Sequence, residues 1–282
     1  MTVEELQRTI FRQGSKTYYH SSLLFPKKVR RDVFTFYAFV RVADNLVDDQ
    51  PVHPDQFYAF RDRWRAAEKG EPAEDLIIDP FVELSRRRGF DAQWTEDFLA
   101  AMESDLNSRP CNSLDEVLQY TWGAAEVIGL FVLKILDVSD EARPAARLLG
   151  RSMQFINFLR DVADDQAAGR RYLPLGDSGL RDLSAATVAA NPEAFKRFMR
   201  EWATRYQQCQ KGGEEGYRYL RWRFRIAVKT ASDLYNWTAR VIMAEPLEVW
   251  RRKIKPSLWR ILTTALTNAF YFPPKLGSRR AL

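Results

Sequence analysis

The chain has 282 residues, 46% of them hydrophobic, with a net charge of +6 and only two cysteines and two histidines. Cys111 and Cys209 are too far apart and too few for a disulfide framework or a zinc-ligand spacing. With His20 and His53 as the only imidazoles, a metal site built from nitrogen and sulfur is excluded, and any metal must be held by oxygen, as magnesium, calcium or manganese are. The modest basic surplus fits a phosphorylated substrate or an acidic membrane surface, whereas Lys and Arg spread along the whole chain argue against nucleic acid.

The N-terminus, "MTVEELQRTIFRQGSK", lacks the charged-then-apolar order of a signal peptide, and no segment approaches the roughly 20 apolar residues of a membrane span, so a cytoplasmic setting is expected. Proline is missing from 27–50, 111–143, 145–173 and 193–245, and apolar residues there recur at helical spacing. In "FINFLRDVADD", Phe155, Phe158, Leu159 and Val162 fall at offsets 0, 3, 4 and 7. The pattern predicts an all-α protein of eight to ten helices, in one domain spanning 1–282. Breaks are expected near 51–54, 71–80, 110–113, 169–192 and 245–246. The stretch "GRRYLPLGDSGLRDLSAATVAANP" is weakly periodic and is read as a loop able to close over a site. "KGGEEG" at 211–216 is read as a helix-interrupting turn, and it is no dinucleotide fingerprint.

Two acidic clusters stand out. In "FYAFVRVADNLVDD" (36–49), Arg41, Asp44 and Asp48 share a helix face beside Phe36, Phe39, Val40 and Val47. In "QFINFLRDVADD" (154–165), Gln154, Asn157, Asp161 and Asp165 line up over three turns of an otherwise apolar helix. Paired acids at i, i+4 are ordinarily a solvated face, and Asp49 and Asp164 are read that way. The inward register of the second stripe, and the repetition of the pattern, favour a site instead. Two carboxylate pairs facing across a cavity would hold magnesium, which typically takes one or two carboxylates and completes its shell with water and phosphate. Arg41, Arg160, Arg170 and Arg171 would neutralise a diphosphate, and aromatic walls would shelter the carbocation left when it departs.

"DNLVDD" after "YAFVR", together with "QFINFLRDVADD" and "GRRYLP", resembles the squalene/phytoene synthase family of head-to-head prenyl transferases, from about Ser15 to about Tyr235. The resemblance implies a single-domain, all-α isoprenoid-synthase bundle around a central cavity. It implies two Asp-x-x-x-Asp motifs, Asp44/Asp48 and Asp161/Asp165, holding Mg2+ or Mn2+ with Asn157. Gln154, Asn157 and Arg160 match companions of the second motif, and Arg41 matches the arginine preceding the first. Ser15, Thr17 and Tyr18 of "SKTYYHSSLLFP" take the places of diphosphate and isoprenoid contacts. Tyr37, Tyr120 and Tyr235 match cavity tyrosines, the last placed with the catalytic aspartates, and Arg170 and Tyr172 match a flap.

The implied reaction joins two prenyl diphosphates through a cyclopropylcarbinyl diphosphate, with NADPH used only when the product is squalene. The chain lacks a spanning tail of the kind squalene-forming members carry, so the expectation is two C20 substrates and phytoene. C15 substrates giving squalene, dehydrosqualene or presqualene diphosphate remain the alternative. Glu126 in "YTWGAAEVIG" departs from the family pattern and is read as a structural accommodation. "EVWRRKIKPSLWRILTTALTNAFYFPPK" is read as a last core helix with a basic solvent face, the alternative being a segment lying on a membrane surface. The expected partners are prenyl diphosphates, with no nucleic acid, and a monomer or weak homodimer. A head-to-tail elongase or terpene cyclase would show other acidic patterns. A silent scaffold relative would be expected to lose the aspartates.

Overall fold

The computed structural model describes residues 1–48 and 54–271, with Thr17 described by its backbone alone; Asp49, His53 and the last residues of the C-terminal segment lie outside the described residues. The helices are α1 (Val3–Gly14), α2 (Lys16–Ser22), α3 (Lys27–Asp48), α4 (Pro54–Glu68), α5 (Ile78–Arg88), α6 (Ala92–Leu106), α7 (Leu114–Thr121) and α8 (Val127–Ile135). They continue as α9 (Arg143–Arg160), α10 (Val162–Ala167), α11 (Ala185–Ala190), α12 (Pro192–Glu214), α13 (Trp222–Ala244), α14 (Glu248–Arg251) and α15 (Leu258–Ala269). Among the described residues there is no strand, and no helix is long and apolar enough to cross a membrane.

Local chemistry explains the boundaries. Thr2 and Glu5 close a reciprocal capping box on α1, and Asp91, Ser113 and Ser257 accept backbone N–H bonds at the starts of α6, α7 and α15. Pro144 and Pro192 sit in the first turns of α9 and α12, where a missing N–H costs nothing. Gly89, at φ 65°, ends α5 in the left-handed conformation.

Fifteen α-helices among the described residues exceed the eight to ten expected, because several breaks occur without proline. The stretch 145–173 divides at Asp161, and 193–245 divides at Leu220 and Arg221, both extended at ψ 132° and 148°. The second polar stripe therefore does not run along one helix: Gln154 and Asn157 belong to α9, Asp161 is the joint, and Asp165 belongs to α10. "KGGEEG" is also corrected. Gly212 and Gly213 lie inside α12, and a Cβ on Gly213 would come within 2.9 Å of the Leu149 backbone, so these glycines let α12 approach α9. The turn begins only at Glu215.

Two aromatic-rich cores flank the cavity. The first gathers Phe34, Phe36, Phe39, Phe60, Phe81 and Phe131 from α3, α4, α5 and α8, with Phe39 and Phe81 stacked at 3.8 Å. The second gathers Phe155, Phe158, Phe195, Met199, Trp202 and Tyr206 around α9 and α12, and Tyr120 packs against both. Each such side chain buried contributes about 1.5–3 kcal/mol, so the walls are stiff and the space between them persists.

Between α7 and α8 the backbone widens into one π-helical turn, Trp122–Glu126, a form that appears mostly where helices are bent for a purpose. Here it turns Glu126 toward α9, where its carboxylate accepts from Arg147 Nε at 2.9 Å and Arg151 Nε at 2.7 Å while 1% exposed. Glu126 is thus spent on a helix-to-helix clamp, and its neighbours Ala124 and Ala125 line the cavity.

The C-terminal helix corrects a further expectation. α15 packs onto α13, but its outer face is apolar rather than basic, with Leu258, Trp259, Leu262, Leu266 and Phe270 exposed.

Candidate active site

The cavity has a volume of about 420 Å³ and is largely apolar, with a polar end where Arg41, Asp44, Gln154 and Asn157 contribute to its wall. α3 delivers Tyr37, Arg41, Asp44 and Asp48 along one side, since steps of three and four keep them on one face. α9 and α10 deliver the second set.

The acids are held differently. Arg41 donates to Asp44 at 2.5 Å. Arg170 donates to Asp48, and its second nitrogen donates to the Val47 carbonyl at 2.7 Å, which ties the loop after α10 to the end of α3. Arg160 grips Asp161 through two donors, one of them at 2.9 Å, and Lys253 approaches the same carboxylate at 3.3 Å. Lys253 also pairs with Asp164 at 2.5 Å, and Asp164 is a solvent-exposed acid, as the sequence reading expects.

Burial pushes Asp44 up to about 7, aided by Asp48, and pushes Asp165 up to about 8, aided by Asp161. Burial also pushes Asp161 upward, but the hydrogen bond and charge of Arg160, with Lys253, outweigh it and hold this acid below the usual carboxylate range.

Asp105, at the end of α6, is a further acid close to Asp44 and Asp165 and outside both sequence clusters. It accepts from Tyr172 at 2.7 Å and from Tyr120 at 2.9 Å, and burial holds it at about 6 despite those bonds and Arg170. A signal was present: after Phe98, Leu99 and Met102, helical spacing asks for an apolar residue at 105, and an aspartate stands there. Through Asp105 the two tyrosines join Phe158 in an aromatic box, with Phe158 and Tyr172 stacked at 4.7 Å and Tyr120 tilted 38° against Tyr172 at 4.9 Å.

The remaining residues divide. Tyr37 lines the cavity and stacks on Phe11 at 3.9 Å. Tyr18 lines it too, donates to Met153 Sδ at 3.2 Å and stands 5.9 Å from the Tyr235 ring; burial raises its pKa far above the usual phenol. Ser15 is the N-cap of α2, its hydroxyl accepting from the Tyr18 N–H at 3.3 Å. Thr17 belongs to α2, with its side chain outside the described residues. Arg171 is a correction: it donates to the Cys111 and Leu173 carbonyls and to Asn112 Oδ1, and so serves the loop rather than the acids.

The donor set fits a divalent cation bound together with phosphate oxygens. Asn157 Oδ1 is buried without a hydrogen-bond partner at the polar end of the cavity, an acceptor with nothing to accept from. Burial first, and then repulsion from neighbouring aspartates such as Asp48 and Asp161, drives Asp44, Asp105 and Asp165 upward, which a cation would relieve. Among the described residues no three His, Cys, Asp or Glu side chains converge as a ready-made cage, so an ion here draws part of its shell from water or substrate.

The profile of the squalene/phytoene synthase family matches residues 11–260. A 15-cis-phytoene synthase of Pantoea ananas is 29% identical over 237 residues, covering 79% of this chain and 77% of the relative. A phytoene synthase of Arthrospira platensis is 27% identical over 276 residues, covering 91% and 89%. Among solved structures, a dehydrosqualene synthase in complex with ligand superposes with a TM-score of 0.81 at 19% identity, covering 94% of this chain and 95% of that one. A squalene synthase from Alicyclobacillus acidocaldarius superposes at 0.76 and 18% identity, covering 86% and 94%. These folds are the helical isoprenoid-synthase bundle. The facing acids, the apolar cavity between two aromatic cores and the match across 11–260 converge: the chain belongs to the squalene/phytoene synthase family and, with it, to the prenyltransferases that join prenyl diphosphates head to head.

Proposed function

We propose that this chain, acting as one catalytic unit, condenses two C20 prenyl diphosphates to phytoene through a cyclopropylcarbinyl diphosphate. The observation that carries the reading is the pairing of a buried, self-repelling acid cluster with an unpartnered Asn157 oxygen at the polar end of an otherwise apolar cavity. Phytoene synthases among the similar proteins support the C20 choice.

Asp44, Asp48, Asn157, Asp161 and Asp165 are the residues that would hold Mg2+, which would supply Lewis-acid neutralisation of the leaving diphosphate. Arg41, Arg160 and Arg170 stand among these acids and would turn to the diphosphate oxygens, bidentate pairing being the strong mode for guanidinium. Arg170 reaches from the loop after α10 to α3, so the same residue would bind the anion and draw the loop over it. Gln154 would orient the diphosphate beside Asn157, and Ser15 and Thr17 would contact it from the start of α2. Tyr18, Tyr37 and Tyr120 line the cavity and would supply ring faces to a developing cation, with Tyr172 and Phe158 packed beside Tyr120 to help exclude water. Tyr235, whose ring centroid is 5.9 Å from that of Tyr18, would steady that ring. Burial keeps Tyr18, Tyr37 and Tyr120 as neutral phenols, so they present dipoles and not anions that would trap the cation.

The test is incubation of purified protein with Mg2+ and either C20 or C15 prenyl diphosphate, with and without NADPH, followed by mass analysis of extracted lipids. A C40 triene-centred hydrocarbon from the C20 substrate without NADPH is the expected product. A C30 product made in preference would replace phytoene synthesis by squalene or dehydrosqualene synthesis, and no lipid from either substrate would overturn the catalytic reading.

A further inference from the structure

α15 is built the wrong way round for a helix whose surroundings are water. The face it turns to the protein carries Ile261, Thr264, Ala265 and Asn268, and Asn268 bonds to Asp233 at 2.8 Å and Thr230 at 3.3 Å. The face it turns outward carries Leu258, Trp259, Leu262, Leu266 and Phe270, with Trp259 75% and Phe270 74% exposed. A surface helix ordinarily buries its apolar stripe, and scattered exposed leucines need no explanation, but five large side chains on one outward arc do.

The patch does not end at α15. Trp222, at the start of α13, is exposed and donates to the Ala269 carbonyl at 3.0 Å, which sets its ring beside the C-terminal end of the stripe. Leu23 and Leu24, just after α2, are exposed as well, and neighbouring Phe25 lies edge-on to Phe224 of α13 at 5.8 Å. Basic side chains frame this area. Arg218, Arg221 and Arg223 are exposed around Trp222, and Lys27 and Lys28 are exposed beyond Leu24. The cavity lies on the other side of the same elements, since Ser21, Ser22 and Phe25 at α2 and Ala227, Val228 and Ala231 on α13 form part of its wall. A single layer of helix therefore separates the exposed patch from the apolar cavity.

We propose that the outward face of α15, with Trp222, Leu23 and Leu24, docks this protein on an anionic phospholipid bilayer. Apolar and tryptophan side chains in the middle with arginine and lysine at the rim is the arrangement by which helices lie in a bilayer interface, where rings sit at headgroup depth and cations meet anionic lipid. Charge decides between occupants. A second copy seated on this face would set its own Arg218, Arg221 and Arg223 near these, like charge on like, whereas phosphatidylglycerol or phosphatidylserine headgroups complement them. Docking here would face the thin wall of the cavity to the membrane, giving apolar molecules a short path between the two. The proposal concerns binding alone and does not rest on the reaction assigned above.

The full chain is sedimented with vesicles of phosphatidylcholine with and without phosphatidylglycerol. Binding to the phosphatidylglycerol vesicles is expected, weakened by added salt. The variant Leu262→Gln/Leu266→Gln, altered only at exposed positions, is expected to bind about tenfold more weakly or worse, while keeping the helical circular dichroism of the parent. Arg221→Glu/Arg223→Glu is expected to lose the preference for anionic lipid and keeps the test open should the first variant fold poorly. Wild-type protein left in the supernatant with every vesicle would overturn the proposal, as would variants that bind like the parent. A dimer in light scattering that Leu262→Gln/Leu266→Gln splits would also overturn it, by giving the face to a second copy.

Discussion

The two Asp-x-x-x-Asp clusters share a spacing and little else. Asp44 and Asp48 stand on the uninterrupted α3, so their separation is fixed by helix geometry, and each has one arginine partner. Asp161 and Asp165 straddle a break between α9 and α10, and only Asp161 has cations of its own, Arg160 and Lys253. The consequence is electrostatic. Asp161 is held below the ordinary carboxylate range, while Asp165, buried and close to Asp161, is driven up to about 8, and Asp44 across from it to about 7. One sequence motif thus yields an acid held low by two cations and two, Asp44 and Asp165, that burial keeps raised, the first despite Arg41. The spacing identifies candidates; the neighbouring cations decide what each can still bind.

The comparison can be broken most forcefully at Asp165. Because it is the acid with the least compensation, Asp165→Asn should lower kcat by about 10²–10³-fold or more, the range seen when one preorganised charge-stabilising group is removed, with the fold retained by circular dichroism. Turnover within a fewfold of wild type would show that the raised acid is not a ligand. A smaller effect is expected from the cations. Arg170→Gln removes charge-assisted bonds to Asp48 and the Val47 carbonyl, worth about 1.5–3 kcal/mol, and should raise KM for the diphosphate and lower kcat together by roughly 10–100-fold. Lys253→Met, which leaves Arg160 on Asp161, should cost less than Arg170→Gln; the reverse order would mean that Lys253 and not Arg160 governs the second cluster.

The smallest effect is on stability. Asp44, Asp105 and Asp165 have folded-state pKa values raised above the ordinary carboxylate value, so between about pH 4 and 8 the folded chain binds more protons than the unfolded one. Stability of the metal-free protein should therefore fall as pH rises through that window. Each kcal/mol is worth about 2–4 °C in a chain of this size. Scanning calorimetry should show Tm dropping by several degrees from pH 5 to 8, a slope that Asp165→Asn flattens. Added Mg2+ with inorganic diphosphate should recover Tm more at pH 8 than at pH 6, because the ligands must be deprotonated to bind. A Tm that rises over this window would contradict the picture of acids that burial keeps raised.

Much of this was legible in the amino-acid order. Periodicity gave the all-α class, and of the residues singled out around the acidic pairs, Arg41, Asp44, Gln154 and Asn157 line the cavity. What escaped was whatever depends on long-range packing. The break at Asp161 carries no proline or glycine, so nothing local announces it. Arg171 and Arg170 are adjacent and look equivalent, yet one folds back on the Cys111 carbonyl and the other crosses to α3. Lys253 and Asp105 are isolated in sequence and become partners of the acids and tyrosines only through the tertiary fold. The outward turn of the apolar stripe on α15 depends on Asn268 finding Asp233 and Thr230 on α13, which no periodicity encodes.

One last feature bears on how such a cavity can change over generations. On the side formed by α8, α9 and the π-helical turn, glycines bring backbone against backbone: a Cβ on Gly129 would fall 2.3 Å from the Ala146 carbonyl oxygen, and one on Gly150 would fall 2.3 Å from that of Ala125. Both glycines line the cavity, so this wall is main chain already in contact with main chain, and mutation there has almost no permitted moves. The part of the wall formed by Ser21, Ser22, Phe25 and Val228 has no such glycine contact and can gain or lose volume one substitution at a time. Selection for a longer or shorter substrate has a fixed floor and an adjustable ceiling, and its record in descendants should be written on α2 and α13.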